Sequence, residues 1–358
     1  MIDVQKVVLD SGNGEGRFKE CQSISNTLGL SCQADAFWSV STETELVEAA
    51  IQAVQEHRDL LPLGEGSNVV LPPQLGKTVL QVADDSVKPI NRTSTATRVR
   101  VGAGKSWHDW VVESLAHGWL GLENLALIPG SVGAAPIQNI GAYGREVKEF
   151  IASVRCVDLA SGQLKDLSPA DCAFSYRESI FKREFADRYV ISSVLFDFDP
   201  QQSVNVSYPT LRDALGDKAE SVSANDVCEA VVALRKEKLP DPTVIPNVGS
   251  FFKNPFITRG RGEELRERFG AIPLYASANT SSGDRQGDVV KTSAAWLIDQ
   301  CGMRGHRVGG AVVSEKHALV ITNDRAATQR DVLALATQIQ ETVRAAFAVD
   351  LEIEPRVL

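Results

Sequence analysis

Two glycine pairs in this chain sit where backbone amides could meet an oxyanion. Gly64-Glu65-Gly66-Ser67-Asn68 follows the apolar run Leu60–Leu63, and Gly102-Ala103-Gly104 follows Thr97–Val101. Glycine lets main-chain N–H groups approach a phosphate closely, and adjacent hydroxyls add donors. A third stretch, residues 118–144, is rich in glycine and poor in charge. It contains Pro129-Gly130-Ser131-Val132-Gly133 and Asn139-Ile140-Gly141-Ala142-Tyr143-Gly144. A Rossmann fingerprint needs a third glycine three positions after each pair, and those positions hold Val69 and Trp107. A phosphate-binding G-x-x-x-x-G-K-[ST] loop is missing too. Each pair alone reads as a tight turn between strands. Together the loops could cradle a pyrophosphate without one diagnostic motif.

The elements that must carry these loops give an α+β pattern. Thr42-x-x-Glu45 is a capping box, followed by the apolar face Leu46, Val47, Ala50, Ile51 and Val54. Strands are expected at Leu60–Leu63, Thr78–Val82, Thr97–Val101, on both sides of Ser161-Gly162, and at Tyr189–Phe196. Helices are expected over Trp107–Ala116, Asn225–Lys238 and Thr292–Gln300. Pro240-Asp241-Pro242 breaks the chain at a hinge. A hairpin is expected across Ala311–Ile321. A long helix then starts near Thr328 with the stripe Val332, Leu335, Ala336, Ile339, Val343 and Phe347. A strand at Leu351–Glu354 closes the pattern.

Composition is that of an ordinary globular protein: 43% of the 358 residues are hydrophobic and 23% charged. At this length two or three domains are expected. No apolar run approaches the ~20 residues of a membrane span. Met-Ile-Asp-Val-Gln-Lys lacks the basic-then-apolar layout of a signal peptide, so a cytoplasmic protein is expected. A net charge of −9 without a basic tract argues against nucleic acid or an anionic membrane as partner. The six cysteines are scattered without a C-x-x-C pair, and the histidines show no ligand spacing. No metal is expected.

Longer motifs carry more information. Leu63-Gly64-Glu65-Gly66-Ser67-Asn68, the run Gly121–Gly133 and Pro136-Ile137-Gln138-Asn139-Ile140-Gly141-Ala142-Tyr143-Gly144 resemble the MurB family of UDP-N-acetylenolpyruvoylglucosamine reductases. Phe174-Ser175-Tyr176-Arg177-Glu178-Ser179-Ile180-Phe181-Lys182, Lys238-Leu239-Pro240-Asp241-Pro242, Gly249-Ser250-Phe251-Phe252-Lys253-Asn254-Pro255 and Ala295–Gly302 agree as well. The likeness is collinear from about Asn26 onward. It implies a two-subdomain FAD-binding fold of the vanillyl-alcohol-oxidase/PCMH type plus a C-terminal α+β substrate-binding domain. The corresponding division is 1–82, 83–238 and 239–347, with 348–358 returning to the second subdomain. NADPH would reduce FAD, and the flavin would reduce the enolpyruvyl group of a UDP-sugar. A monomer is expected.

The resemblance also assigns residues. Gly64, Glu65, Gly66, Ser67, Asn68, Pro129, Gly130, Ser131, Gly133, Ala134, Gln138, Asn139, Gly141, Ala142, Tyr143 and Gly144 would hold FAD. Arg177 and Glu354 would flank the substrate carboxylate, and Ser250 would give a proton. Arginine suits the first place, since its planar fork matches a carboxylate and stays charged. Glu354 would assist only in its acid form. Serine is a weak acid, and Lys238 or Lys253 could lower the cost of its ionisation. Tyr176, Tyr208, Lys238, Asn254 and Tyr275 would bind the rest of the substrate, Tyr208 as the lid tyrosine of the longer subtype. The chain departs from the family at Pro355, after Glu354, which leaves Glu352 as a possible substitute. It also has Arg307 where relatives often carry Gln. Two other readings are open: another FAD-dependent oxidoreductase of the superfamily, or a non-catalytic UDP-sugar-binding relative.

Overall fold

Alternate residues of Gln33–Val40 are buried, namely Ala34, Ala36, Trp38 and Val40. That is the period-two signature of a strand with one covered face. In the computed structural model, which describes residues 18–93, 95–276 and 289–358, this strand lies in a four-stranded sheet. The N-terminal segment read above for a leader lies outside the described residues. The sheet order is Lys19–Ser23, Gln33–Val40, Thr78–Val82, Leu60–Pro62. The last two pairings are parallel. A parallel connection needs a crossover, here the helix Glu43–Gln55, which buries Leu46, Ala49, Ala50 and Ala53. The Thr42 hydroxyl caps it by accepting from the Glu45 amide. The Glu45 carboxylate answers the Ser41 amide rather than that of Thr42.

A five-stranded antiparallel sheet follows, in the order Gln163–Leu167, Ile151–Asp158, Tyr189–Phe198, Thr97–Gly102, Val87–Arg92. Its central strand is buried on both faces, which explains the unbroken apolar reading of Tyr189–Phe196. Helices Trp107–Ala116 and Ala224–Lys238 share its core through Trp107, Trp110, Phe196, Phe198, Val227 and Val231.

Beyond the prolines, Asn247–Ser250, Val320–Asn323, Ala311–Val313 and Arg307–Val308 make a third sheet. The hairpin expected across Ala311–Ile321 is present. Helix Gln329–Phe347 starts behind Thr328 and buries all six residues of its expected stripe. Helix Ala294–Gln300 begins two residues later than expected because Ser293 caps it. A small sheet of Phe256–Thr258, Val289–Thr292 and Leu274–Ala276 adjoins. This third core also takes Leu28, Leu30 and Val70 from the first segment.

The end of the chain departs from expectation. Leu351–Glu354 makes no regular strand; only Ile353 bridges to Phe252. The strand lies later, at Arg356–Val357, parallel to Val69–Val70. Its ladder therefore joins the first segment, and side-chain contacts from Arg177, Lys182 and Asp187 tie this tail to the second. Pro355 has no N–H to pair, and the ladder starts beyond it, where the Arg356 amide donates to the Asn68 carbonyl at 3.0 Å.

Candidate active site

The glycine loops meet. The strand Leu60–Pro62 delivers Gly64–Asn68 against Pro129–Ala134. Gly130 has φ +109°, and a Cβ there would stand 2.7 Å from the Ser67 hydroxyl. Gly66, at φ +67°, turns beneath the Ser25 carbonyl, 2.7 Å from where its own Cβ would be. Side chains lock the turn: Gln81 donates to the Gly64 carbonyl at 3.0 Å, and Asn68 donates to Gln138. The result is one wall of a cleft of about 380 Å³, within the range of small-molecule sites. Apolar Trp107, Ile128, Ile137, Ile140, Leu239 and Val248 line it beside the loops.

Of the residues expected at FAD, Gly64, Glu65, Gly66, Ser67, Asn68, Pro129, Ser131, Ala134, Gln138 and Gly141 line this cleft. Gly130 and Gly133 stand behind the wall, where a Cβ on Gly133 would meet Ala103 at 2.6 Å. Asn139 is fully buried and structural; it donates to Glu146 and to the Ser175 carbonyl. Ala142, Tyr143 and Gly144 are not among the lining residues. The Tyr143 carbonyl accepts from Asn124 and that of Gly144 from Asn205.

Arg177, Ser250 and Glu354 all line the same cleft. Arg177 sits in the left-handed region at φ 55°, in the turn bridged by Ser175 and Glu178. One guanidinium N–H, on Nη2, donates to the Gly141 carbonyl at 2.7 Å. Nε lies 3.1 Å from Glu354 Oε1, close enough for an ion pair. Its N–H nevertheless points at no acceptor in hydrogen-bonding geometry. Burial works against the Arg177 charge, but Glu354, Tyr176 and Glu146 together outweigh it and hold the guanidinium above its ordinary value. Lys182 donates to the Glu354 carbonyl at 3.1 Å, and burial pushes its own pKa down.

The remaining charges sort by partner. Lys253 is 6% exposed and holds both Glu178 and Glu352 at 2.6 Å. It is committed there, away from the cleft lined by Ser250, contrary to the expectation of a cation assisting the serine. Glu352 is turned outward, its side chain 68% exposed, and Glu354 alone of the two faces the cleft. Arg307 is paired with Asp324. Among the described residues, no cluster of His, Cys, Asp or Glu could hold a metal, and no helix is long and apolar enough to cross a membrane.

Four of the five expected substrate residues gather beside the cleft. Tyr176 is adjacent to Arg177, its ring 5.6 Å from the guanidinium carbon. The Lys291 ammonium lies 4.7 Å from the Tyr176 ring and 6.0 Å from that of Tyr275. Tyr208 packs edge-on against Tyr143 at 5.4 Å, just before the helix Pro209–Leu215. Asn254 accepts from the Ala294 amide at 2.9 Å, at the helix start. Lys238 stands apart, where its charge bears on His317.

Four cations in or beside the cleft were given no role by the sequence reading: Lys182, Arg235, Lys291 and Arg356. Arg235 donates to the Leu127 carbonyl at 3.2 Å. Arg356 grips Asp187 with both ends of its fork. Spacing held a signal for two of them. Arg235 precedes Lys238 by three residues on one helix, hence on one face, and Arg356 follows Glu354 by two.

Comparison with known proteins agrees along nearly the whole chain. Residues 34–168 match the FAD binding domain family, and residues 241–358 match the UDP-N-acetylenolpyruvoylglucosamine reductase, C-terminal domain. The chain is 42% identical over 335 residues to UDP-N-acetylenolpyruvoylglucosamine reductase of Neisseria gonorrhoeae, covering 93% of this chain and 94% of that one. Identity to the reductase of that name from Chromobacterium violaceum is 39%, covering 93% and 96%. In fold it is similar to the crystal structure of UDP-N-acetylenolpyruvylglucosamine reductase (MurB) from Thermus caldophilus, with a TM-score of 0.65 at 23% identity, covering 95% and 99%. The chain belongs to the UDP-N-acetylenolpyruvoylglucosamine reductase family, MurB.

Proposed function

We propose that this chain reduces the enolpyruvyl group of UDP-N-acetylglucosamine enolpyruvate to UDP-N-acetylmuramate, a step of peptidoglycan precursor synthesis, using FAD and NADPH. The observation that carries this reading is the shared cleft. Arg177, Glu354 and Ser250 line it together with the glycine loops. The loops suit a pyrophosphate: Gly64, Gly66 and Ser67 line the cleft, and Gly130, having no Cβ, lets Ser67 pack close behind them. The amides of Gly64–Asn68 and Ser131, with Arg235 and Arg356, would hold the FAD. Bound there, FAD would supply hydride transfer from NADPH to the substrate. On this reading the first two sheets carry the cofactor, and the third unit, with Tyr208, closes over the sugar nucleotide.

The protein's part follows from charge. Hydride arriving at the vinyl carbon pushes electron density onto the neighbouring carboxylate, and a fixed cation there lowers the barrier. Arg177 is that cation, with Nε free to turn to an acceptor. A substrate carboxylate on Arg177 would also lie beside Glu354, whose Oε1 is 3.1 Å from Arg177 Nε. Ser250 then delivers a proton to the carbon bearing the ether oxygen. Retention of all three groups in one cleft favours a reductase over a non-catalytic sugar-nucleotide binder.

The test is rapid mixing without oxygen. NADPH should bleach the flavin, and the enolpyruvyl UDP-sugar should restore its absorbance. Reoxidation by oxygen but not by this substrate would point to another oxidoreductase of the superfamily. A purified protein that takes up no FAD would end the reading.

A further inference from the structure

Leu127 is a non-glycine residue held in the left-handed region, φ 58°. That conformation crowds a residue carrying a Cβ, so something must hold it. Both of its backbone polar groups are taken by side chains. Its amide donates to His108 Nδ1 at 3.1 Å, and its carbonyl accepts from Arg235 Nε at 3.2 Å. His108 sits on helix Trp107–Ala116 and Arg235 on helix Ala224–Lys238. Leu127 bridges the two helices, and the next two residues, Ile128 and Pro129, line the cleft together with Arg235.

We propose that His108 is a positioning residue: as a neutral ring it fixes Leu127, and through the Leu127 carbonyl it aims Arg235 into the cleft. The direction of the bond is unambiguous. A backbone amide can only donate, so Nδ1 must offer a lone pair and the ring proton must be on Nε2. An imidazolium would turn an N–H toward the Leu127 N–H and break the relay. The surroundings favour the neutral ring. Burial comes first, and the positive charges of Lys236 and Arg235, on the facing helix, act in the same sense. Asp109, the next residue on its own helix, opposes them. Glu123 of the adjoining turn is directed at the Gly121 amide instead. The net effect holds His108 below the ordinary imidazole value. The sign follows: the fold prefers the neutral ring, so the relay is fully present above an ordinary value of about 6.5 and is lost as pH falls through the lower folded value.

The inference rests on the FAD reading for its consequence but not for its local content, and the experiment separates the two. The Leu127 amide protection factor is measured by hydrogen exchange in the FAD-free full chain at several pH values between 5 and 8. FAD dissociation constants are measured by fluorescence quenching over the same range. Wild type is compared with His108→Asn, whose Oδ1 can replace the Nδ1 lone pair without titrating, and with His108→Ala. In wild type, acidification should lower the Leu127 protection and weaken FAD binding, each by about fivefold, the worth of one hydrogen bond. The Asn variant should keep the neutral-pH values and lose the acid step. The Ala variant should show the weakened values throughout; if it does not fold, wild type against Asn decides. An Asn variant with the same acid step as wild type, or Leu127 protection unaffected by pH and by both substitutions, overturns the relay. Wild type that binds no FAD at any pH overturns the FAD reading, while the protection factors still judge the relay.

Discussion

Arg177→Lys isolates the fork from the charge. Arg177 spans two points at once: the Gly141 carbonyl at 2.7 Å through Nη2 and the Glu354 carboxylate at 3.1 Å through Nε. A lysine ammonium is a single head and can hold one of them. The backbone strain at φ 55° is common to both residues and cancels. What is lost is one charge-assisted hydrogen bond to the substrate carboxylate, about 1.5–3 kcal/mol, or roughly ten- to a hundredfold in rate. The loss should fall on one half-reaction. Reoxidation of reduced flavin by the enolpyruvyl UDP-sugar should slow by that factor in anaerobic stopped flow. Reduction of FAD by NADPH should stay within about twofold of wild type, a flat baseline against which the tenfold estimate is read. Equal slowing of both halves in a protein with normal FAD content would refute the assignment. So would a lysine variant that reoxidises as fast as wild type.

Other perturbations have equally definite outcomes. Ser250→Ala should leave NADPH reduction of FAD intact and stall product formation; product at the wild-type rate would remove the serine from its role. Gly130→Ala forces a Cβ to 2.7 Å from the Ser67 hydroxyl at φ +109°, a strain of about 1–3 kcal/mol. FAD titration should show at least tenfold weaker binding, recovered in part by adding Ser67→Gly. Lys253→Met leaves Glu178 only the exposed Arg183 as partner and should cost about 1–3 kcal/mol in urea unfolding. Glu178 is held below its usual range: burial opposes the charge, but Lys253 and Arg183 win. Its stabilising share is therefore present above about pH 4.3 and is lost as acid takes it through the lower folded value. A Glu178→Gln protein should accordingly lose less stability than wild type between neutral pH and pH 3, measured by urea midpoints.

What the sequence showed was what local chemistry enforces. Helix Gln329–Phe347 announced itself by a threonine cap and a six-residue stripe. The glycine loops were legible because a tight approach leaves no alternative residue, as at Gly130. Arg177, Ser250 and Glu354 are a different matter. Nothing in their own spacing marks them, and only the resemblance set them apart. Their convergence on one cleft is a property of the fold, which brings together a turn, the end of a strand and the C-terminal segment. Arg235 and Arg356 were missed for the same reason: a lone arginine on a helix or near a chain end looks like a solvated charge until the fold buries it. The C-terminal strand was misplaced because its alternating pattern is blind to Pro355, which shifts pairing to Arg356–Val357.

That late strand bears on how the molecule is made. Arg356 and Val357 pair with Val69 and Val70, among the longest-range contacts the chain contains. Contacts between segments so distant in sequence form slowly, since the closure entropy must be met before they return anything. Glu354, beside this seam, reaches the cleft only when the seam closes. With the seam open the cleft lacks Glu354, and any ligand that needs the closed seam would draw it shut by mass action.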